Sequence, residues 1–527
     1  MYHTQLTQFL DDTAAAYPER LAVIDGEIRL SFSQLKMRAL KLAALVAERL
    51  GEETKHVVAV FTPKGADSIT GDAAVVYSGN AFINLDVKHP EQRFRNIFEN
   101  IRPDLLITRR DVAGRILAVA SKIPVIYVED ADALPEPAAD RVQELLERRD
   151  ACLDTDLLCV INTSGSTGTP KGVACTHRGF IDLVENEVRA GLLTDTHEIV
   201  ASLAPCVFDR HIFEVCFMMM RAATLLIVPE SFAAFPVRML ELLVRHKATY
   251  LFWTPTIMVN IANMDLLAHF SLPELRKVWF AGEVLPTAKL NYWRRHLPYA
   301  TFVNLYGPTE ISDLCMYYVI DRELQDDEPI PIGKALPNTE ILLLNEDGQQ
   351  VAPGEEGEIC VRGICLAMGY YNNPEKTAEF FVQNPLNSAY PERIYRTGDM
   401  GMMNERGEIM FKGRRDTLIK HMGYRIELGE IENVIVGRLE TVKNCCAVYN
   451  YAEKKITLFY EAPEALDERE LRTQIGAVLP RYMVPAVYVH LTEMPRNNNG
   501  KIDRLRLKRQ VEGRIESAGK NPGSGVI

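Results

Sequence analysis

The chain has 527 residues, of which 47% are hydrophobic and 25% charged, and its formal net charge is -12. That length exceeds one compact core, so two or more domains are expected. The acidic balance excludes non-specific nucleic-acid binding, which needs a basic surface.

The opening stretch, MYHTQLTQFLDD, lacks the basic start and apolar run of a signal peptide. FSQLKMRALKLAALVAERL (32–50) carries apolar residues at helical spacing with a charged opposite face, which predicts an amphipathic helix. VVAVF (57–61), PDLLIT (103–108), IPVIYVE (123–129) and LLCVI (157–161) predict strands. The most apolar stretch, HIFEVCFMMMRAATLLIVP (211–229), is interrupted by Glu214 and Arg221. It predicts a buried helix followed by a strand rather than a membrane span. ATYLFWTP (248–255) predicts another strand. Strands alternating with helices make an α/β fold with mainly parallel sheets covered by helices.

After about residue 325 the pattern changes to hairpins. NEDGQ and NERGE are turn sequences between the strands of ILLLNEDGQQVAPGEEGEICVRG and RTGDMGMMNERGEIMFKGRRD. Beyond Asp416 a compact α+β segment is long enough to be a small domain. The expected division is a core domain 1–415 with a β-rich subdomain, a small mobile domain 416–510, and a disordered tail 511–527. The ten cysteines are scattered with no C-x-x-C pair, which predicts reduced thiols and a cytoplasmic protein.

Residues 162–172 read N-T-S-G-S-T-G-T-P-K-G. Gly165, Gly168 and Gly172 permit positive φ, so backbone N–H groups can converge on an anion. Thr163, Ser164, Ser166 and Thr167 add hydroxyls, and Lys171 adds a cation. The spacing is not that of a P-loop, and Pro170 discourages a helix directly after the loop. A flexible surface loop has the same composition.

Four further motifs follow in order: N-x-Y-G-P-T-E (304–310), Y-R-T-G-D (395–399), G-R-R-D-x-x-I-K-x-x-G-x-R-I-E (413–427) and N-G-K-I-D-R (499–504). Together with the loop they resemble the core motifs of adenylate-forming enzymes. Those are the acyl-CoA synthetases, the luciferases and the adenylation domains of nonribosomal peptide synthetases. LSFSQLKMRALKLA and YSGNAFINLDVKHPEQR fall where the peptide-synthetase branch places its first motifs, and the resemblance covers nearly the whole chain.

The resemblance implies a two-step ligase. A carboxylate attacks the α-phosphorus of ATP, giving an acyl-adenylate and pyrophosphate, and a thiol then attacks the activated carbonyl. The loop, with Thr163, Ser164, Gly165, Ser166, Thr167, Gly168 and Lys171, would hold the β- and γ-phosphates. Glu310 would coordinate Mg²⁺, and Thr309 would lie near the α-phosphate. Tyr306 and Gly307 would sit at the adenine, Asp399 would accept bonds from the ribose hydroxyls, and Arg414 would fix the ribose. Lys501, presented by the N-N-N-G turn, would bridge carboxylate and α-phosphate. Asp416 would be the hinge of a swinging domain, and Gly423 would reach the thiol tunnel. Leu418 and His421–Met422 depart from the family pattern at the hinge surface.

The same resemblance names a substrate pocket. Asp209, after a Phe, would pair with an α-ammonium, so an amino acid is expected. The carried-over pocket is Arg210, Phe213, Phe252, Trp279, Ala281, Leu305, Asp313 and Leu314. Its three large aromatics favour a small or polar amino acid, and an acidic or a β-amino acid stays open beside it. Arg210 either meets a substrate carboxylate or is neutralised by Asp313, because a buried unpaired arginine is costly. Too few residues follow the last motif for a carrier domain of about eighty residues. The expected partner is therefore a separate phosphopantetheinylated carrier protein, with no nucleic acid and no membrane. Two alternatives stand beside this one: an acyl- or aryl-CoA ligase using free CoA, and a D-alanine:carrier protein ligase.

Overall fold

The computed structural model describes residues 3–89, 91–163, 171–193, 197–414, 418–421, 424–451, 453–479, 483–497 and 500–518. Ser164, Gly165, Ser166, Thr167, Gly168, Asp416 and Gly423 lie outside them. The expected long helix is Phe32–Leu50, and Ser31 caps it by accepting from the Gln34 amide while Gln34 bonds back to Ser31.

Among the described residues, three sheets build the larger part of the chain. A seven-stranded sheet runs in the order Gly369–Tyr370, Lys171–Thr176, Leu157–Thr163, Ala81–Asn84, Val57–Phe61, Leu105–Thr108, Val125–Tyr127. Its last five strands are parallel. A nine-stranded sheet contains the parallel neighbours Ile199–Ser202, Tyr250–Trp253, Lys277–Ala281 and Thr301–Tyr306. The predicted hairpins form an antiparallel sheet in which Thr339–Leu344 pairs with Glu356–Gly363 and Arg393–Met403 with Ile409–Arg414. The apolar stretch folds as the helix Asp209–Arg221 and the strand Thr224–Ile227.

Strand alternation sorts side chains between two cores. Tyr250, Phe252, Trp279 and Leu305 point into one hydrophobic cluster. Leu251, Trp253, Val278 and Phe280 point into the other. The first cluster floors the site described below.

A separate cluster, drawn only from residues 419–511, holds the C-terminal part together. Its sheet is Asn444–Asn450, Lys455–Glu461 and Val487–Leu491, with the helices Leu428–Arg438 and Glu468–Val478. Two expectations need correction. Residues 511–518 are not a disordered tail, because the helix Arg504–Ala518 continues through them and Val511 is buried in this cluster. The apolar face of that helix compensates for its polar C-terminal composition. The predicted strand 123–129 ends at Tyr127, and Val128–Asp132 is helical. Among the described residues no helix is long and apolar enough to cross a membrane. All ten cysteines are free and buried.

Candidate active site

The site lies at the carboxyl ends of the parallel strands, where open α/β sheets place their ligands. Leu157–Thr163 and Lys171–Thr176 form an antiparallel hairpin, with Thr163 opposite Lys171. The Gly/Ser/Thr loop is the connection of that hairpin, and a strand follows it rather than a helix. Gly172 does not serve a positive-φ turn. A Cβ there would come 2.7 Å from both Ile101 and Val160, so glycine is needed for close packing. The Lys171 ammonium stands 5.1 Å from the Tyr370 ring and 5.2 Å from that of Phe380. Burial, then the neighbouring Lys376, lowers its pKa.

Glu310 belongs to the short 3₁₀ turn Thr309–Ile311 that follows the strand Thr301–Tyr306. Its carboxylate accepts a 2.6 Å bond from the Tyr370 hydroxyl. Burial and Glu310 push that hydroxyl far above its usual range, so it remains a donor. The turn is tight. Gly307 has no room for a Cβ, which would fall 2.2 Å from the Asp313 carbonyl oxygen. Ser312 and Asp313 both adopt positive φ, of 57° and 91°. Such local strain is typical of sites whose surroundings over-determine the backbone.

Asp399 is held from two sides. The Tyr306 hydroxyl donates to one oxygen at 2.6 Å, and the Arg414 guanidinium donates to the other at 3.0 Å. The carboxylate is thereby oriented before any ligand arrives.

Asp209 occupies the first turn of the helix Asp209–Arg221. One oxygen accepts from the Arg210 amide at 2.8 Å, and the other from the Thr309 hydroxyl. That bond ties the helix start to the 304–310 motif. Arg210 turns inward. Its guanidinium lies 3.7 Å from the Phe213 ring centroid and 3.6 Å from that of Phe252, between the two faces. It donates to Asp313 at 2.8 Å and to the Tyr250 hydroxyl at 3.4 Å. Of the two alternatives left open for Arg210, this geometry is the internal ion pair with Asp313.

A third ionisable group joins that pair. Glu187, from the helix His177–Arg189, is completely buried, and neither of its oxygens has a hydrogen-bond partner. Burial pushes both the Glu187 and the Asp313 carboxyls up to about 8, and Arg210 opposes the shift in each. Asp313 makes the direct contact, so it carries the charge and Glu187 carries the proton at neutral pH.

Lys501 reaches this region from the C-terminal part. Gly500 has φ of 77°, the Asn497 carbonyl oxygen accepts from the Gly500 amide, and the Asn497 side chain accepts from the Lys501 amide. The resulting tip projects the ammonium onto the Gly282 carbonyl oxygen at 2.7 Å. Arg496 braces the turn through the Gly500 carbonyl oxygen and also reaches the Thr256 hydroxyl. Thr256 is in turn bonded to Glu283.

The structure therefore links Asp209 to Thr309 beside Glu310, ties Tyr306 and Arg414 to Asp399, and brings Lys501 to Gly282, the residue after Ala281. Trp279, Ala281 and Leu305 sit on the adjacent strands Lys277–Ala281 and Thr301–Tyr306, and Trp279, Leu305 and Leu314 are buried. Several contributors escaped the sequence reading. Tyr370 and Gly282 carried no motif. Glu187 had one visible signal, an acid on the apolar face of a helix that also presents Phe180, Leu183 and Val184.

Residues 10–371 match the family model described as AMP-binding enzyme. Tyrocidine synthase 1 of Brevibacillus parabrevis is 31% identical over 509 residues, covering 95% of this chain and 44% of that protein. Novobiocin biosynthesis protein H of Streptomyces niveus is 31% identical over 529 residues, covering 98% of this chain and 84% of that one. The solved structure of the anthranilate CoA ligase AuaEII with anthranoyl-AMP has a TM-score of 0.83 at 19% identity, covering 97% and 98% of the two chains. That likeness establishes the fold.

The chain belongs to the AMP-binding, adenylate-forming family. It is an adenylate-forming ligase related to the adenylation domains of peptide synthetases, and adenylate formation implies ATP as co-substrate. The chain spans 44% of tyrocidine synthase 1 and 14% of tyrocidine synthase 2.

Proposed function

We propose that this ligase activates an amino acid and passes it to the phosphopantetheine thiol of a separate carrier protein. The observation that carries this reading is Asp209, a carboxylate held at the catalytic turn by Thr309. On this reading Asp209 would pair with the α-ammonium, and Lys501, whose ammonium reaches the Gly282 carbonyl oxygen, would meet the substrate carboxylate.

In the first step a carboxylate oxygen bonds to the α-phosphorus of ATP. The bond from that phosphorus to the bridging oxygen breaks, and pyrophosphate leaves. Both reactants are anionic, so positioning and charge neutralisation are the main tasks. Lys501 offsets the charge gathering at the α-phosphate, and Lys171 with the hairpin loop receives the departing pyrophosphate. Tyr306 and Arg414 hold Asp399 for the ribose hydroxyls.

Among the described residues no cluster of three or more His, Cys, Asp or Glu side chains is arranged to hold a metal. Glu310, which accepts from the Tyr370 hydroxyl, fits Mg²⁺, which takes few protein carboxylates and binds chiefly phosphate oxygens and water. When bound, it supplies charge neutralisation at the phosphates. In the second step the carrier thiol gives its proton to solvent, its sulfur bonds to the carbonyl carbon, and the bond from that carbon to the phosphate oxygen breaks as AMP leaves. Domain rotation about Asp416, with Gly423 lining the thiol path, is part of this proposal.

Pyrophosphate exchange across the amino acids and their counterparts lacking the amino group tests the first step. Amino acids are expected to support it and the counterparts to fail. Equal exchange with both, retained in Asp209→Ala, removes the ammonium role and favours an acyl- or aryl-CoA ligase.

A further inference from the structure

The cleft has an open and a closed end. Asp209, Ala281 and Thr309 are partly accessible, whereas Arg210, Phe213, Phe252, Trp279 and Asp313 are buried. Between Asp209 and the strand floor lies the direction in which a substrate side chain would extend. The Arg210 side chain, next in sequence to Asp209, lies there among Phe213, Phe252, Asp313 and Tyr250. The Arg210 plane is stacked on both faces, at 3.7 and 3.6 Å from two ring centroids. It is also tied at its edge to Asp313 and Tyr250.

Each of these contacts opposes displacement. Stacking on two aromatic faces in a desolvated site favours the cation. Moving Arg210 out would strand the Asp313 charge beside a protonated Glu187. Packed interiors tolerate added volume poorly. We infer that Arg210 is a plug that fills the side-chain slot, so that the enzyme activates amino acids with side chains no larger than a methyl group: glycine and alanine. The alternative is a substrate acid that replaces Asp313 as the partner of Arg210. It would have to outcompete an ion pair that is already formed and sealed, and the structure offers no room for it between the two rings.

The inference rests on the amino-acid reading above, and the test separates the two. The wild-type chain is assayed by pyrophosphate exchange with glycine, alanine, valine, leucine, phenylalanine and aspartate. The same assay includes acetate, propionate and 4-methylpentanoate. Glycine or alanine is expected to lead, with valine, leucine and phenylalanine at least ~10-fold lower, the scale on which pockets reject extra methylenes. Arg210→Met keeps the length without the charge, and the small preference is expected to survive. The double variant Arg210→Ala with Asp313→Ala empties the slot without leaving a buried charge. Leucine is then expected to gain ~10-fold or more relative to alanine.

Wild-type preference for leucine or phenylalanine overturns the plug. So does a preference for aspartate that Arg210→Met abolishes. Exchange confined to the acids without an amino group overturns the amino-acid reading instead, and size dependence along that series still decides the plug. The wild-type panel needs no variant to fold.

Discussion

The two ends of the cleft treat charge in opposite ways. At the nucleotide end, Asp399 and Glu310 are each held by a tyrosine hydroxyl. A neutral donor orients a carboxylate without cancelling its charge, so the group stays available to a ligand. Arg414 also meets Asp399, but from an exposed position where water screens the pair. At the side-chain end, Arg210 is cancelled by Asp313 inside the protein. Charge there does packing work: Arg210 and Asp313 pair with each other in the interior, beside a Glu187 carboxyl that has no hydrogen-bond partner.

This contrast can be broken at its strongest point first. Lys501→Ala removes the ammonium that reaches the Gly282 carbonyl oxygen and that the proposed mechanism sets between carboxylate and α-phosphate. Adenylate formation is expected to fall by about 10²–10³-fold or more, while thiolation of preformed aminoacyl-adenylate stays within a few-fold. Wild-type-like pyrophosphate exchange would falsify the assignment.

Asp313→Ala attacks the side-chain end by leaving Arg210 buried without its partner. A loss of about 3–5 kcal/mol in denaturant unfolding is expected, and an unchanged midpoint would show that the pair is not buried as described. Tyr370→Phe probes the other end. It frees the Glu310 carboxylate to wander, and the apparent Mg²⁺ affinity in exchange assays is expected to weaken ~10-fold with little change in melting temperature.

The smallest effect concerns pH. Glu187 is raised by burial from the ordinary 4.5 to about 8. A folded value above the unfolded one contributes stability that is full below the ordinary carboxyl range and is lost as pH rises through about 8. Glu187→Gln is expected to flatten the fall of melting temperature between those limits. An identical slope in variant and wild type would mean that Glu187 does not carry the proton.

Much of the nucleotide end was legible because its groups sit in short local motifs. Tyr306 to Glu310 spans the end of one strand and its following turn, and Tyr395 to Asp399 lies within the strand Arg393–Met403. The long amphipathic helix and the strand 57–61 were equally readable, since period and capping are local properties. The Gly/Ser/Thr composition of residues 162–172 left an anion loop and a flexible surface loop open, and the pairing of the strands on either side was not legible, because strand pairing depends on partners elsewhere. The helix Arg504–Ala518 runs past the expected boundary at 510 for a similar reason: Leu507 and Val511 anchor it in the C-terminal core.

The five motifs, each local in the chain, carried the resemblance to adenylate-forming enzymes, and the family match over residues 10–371 bears it out. The sequence by itself also marked Arg210 as unusual. Only the tertiary structure decided what Arg210 does. Its partner Asp313 lies 103 residues away, its two aromatic neighbours come from a helix and a strand, and Glu187 comes from another helix. Which of two carboxylates a buried guanidinium meets depends on packing and desolvation between those elements, and no local pattern encodes that.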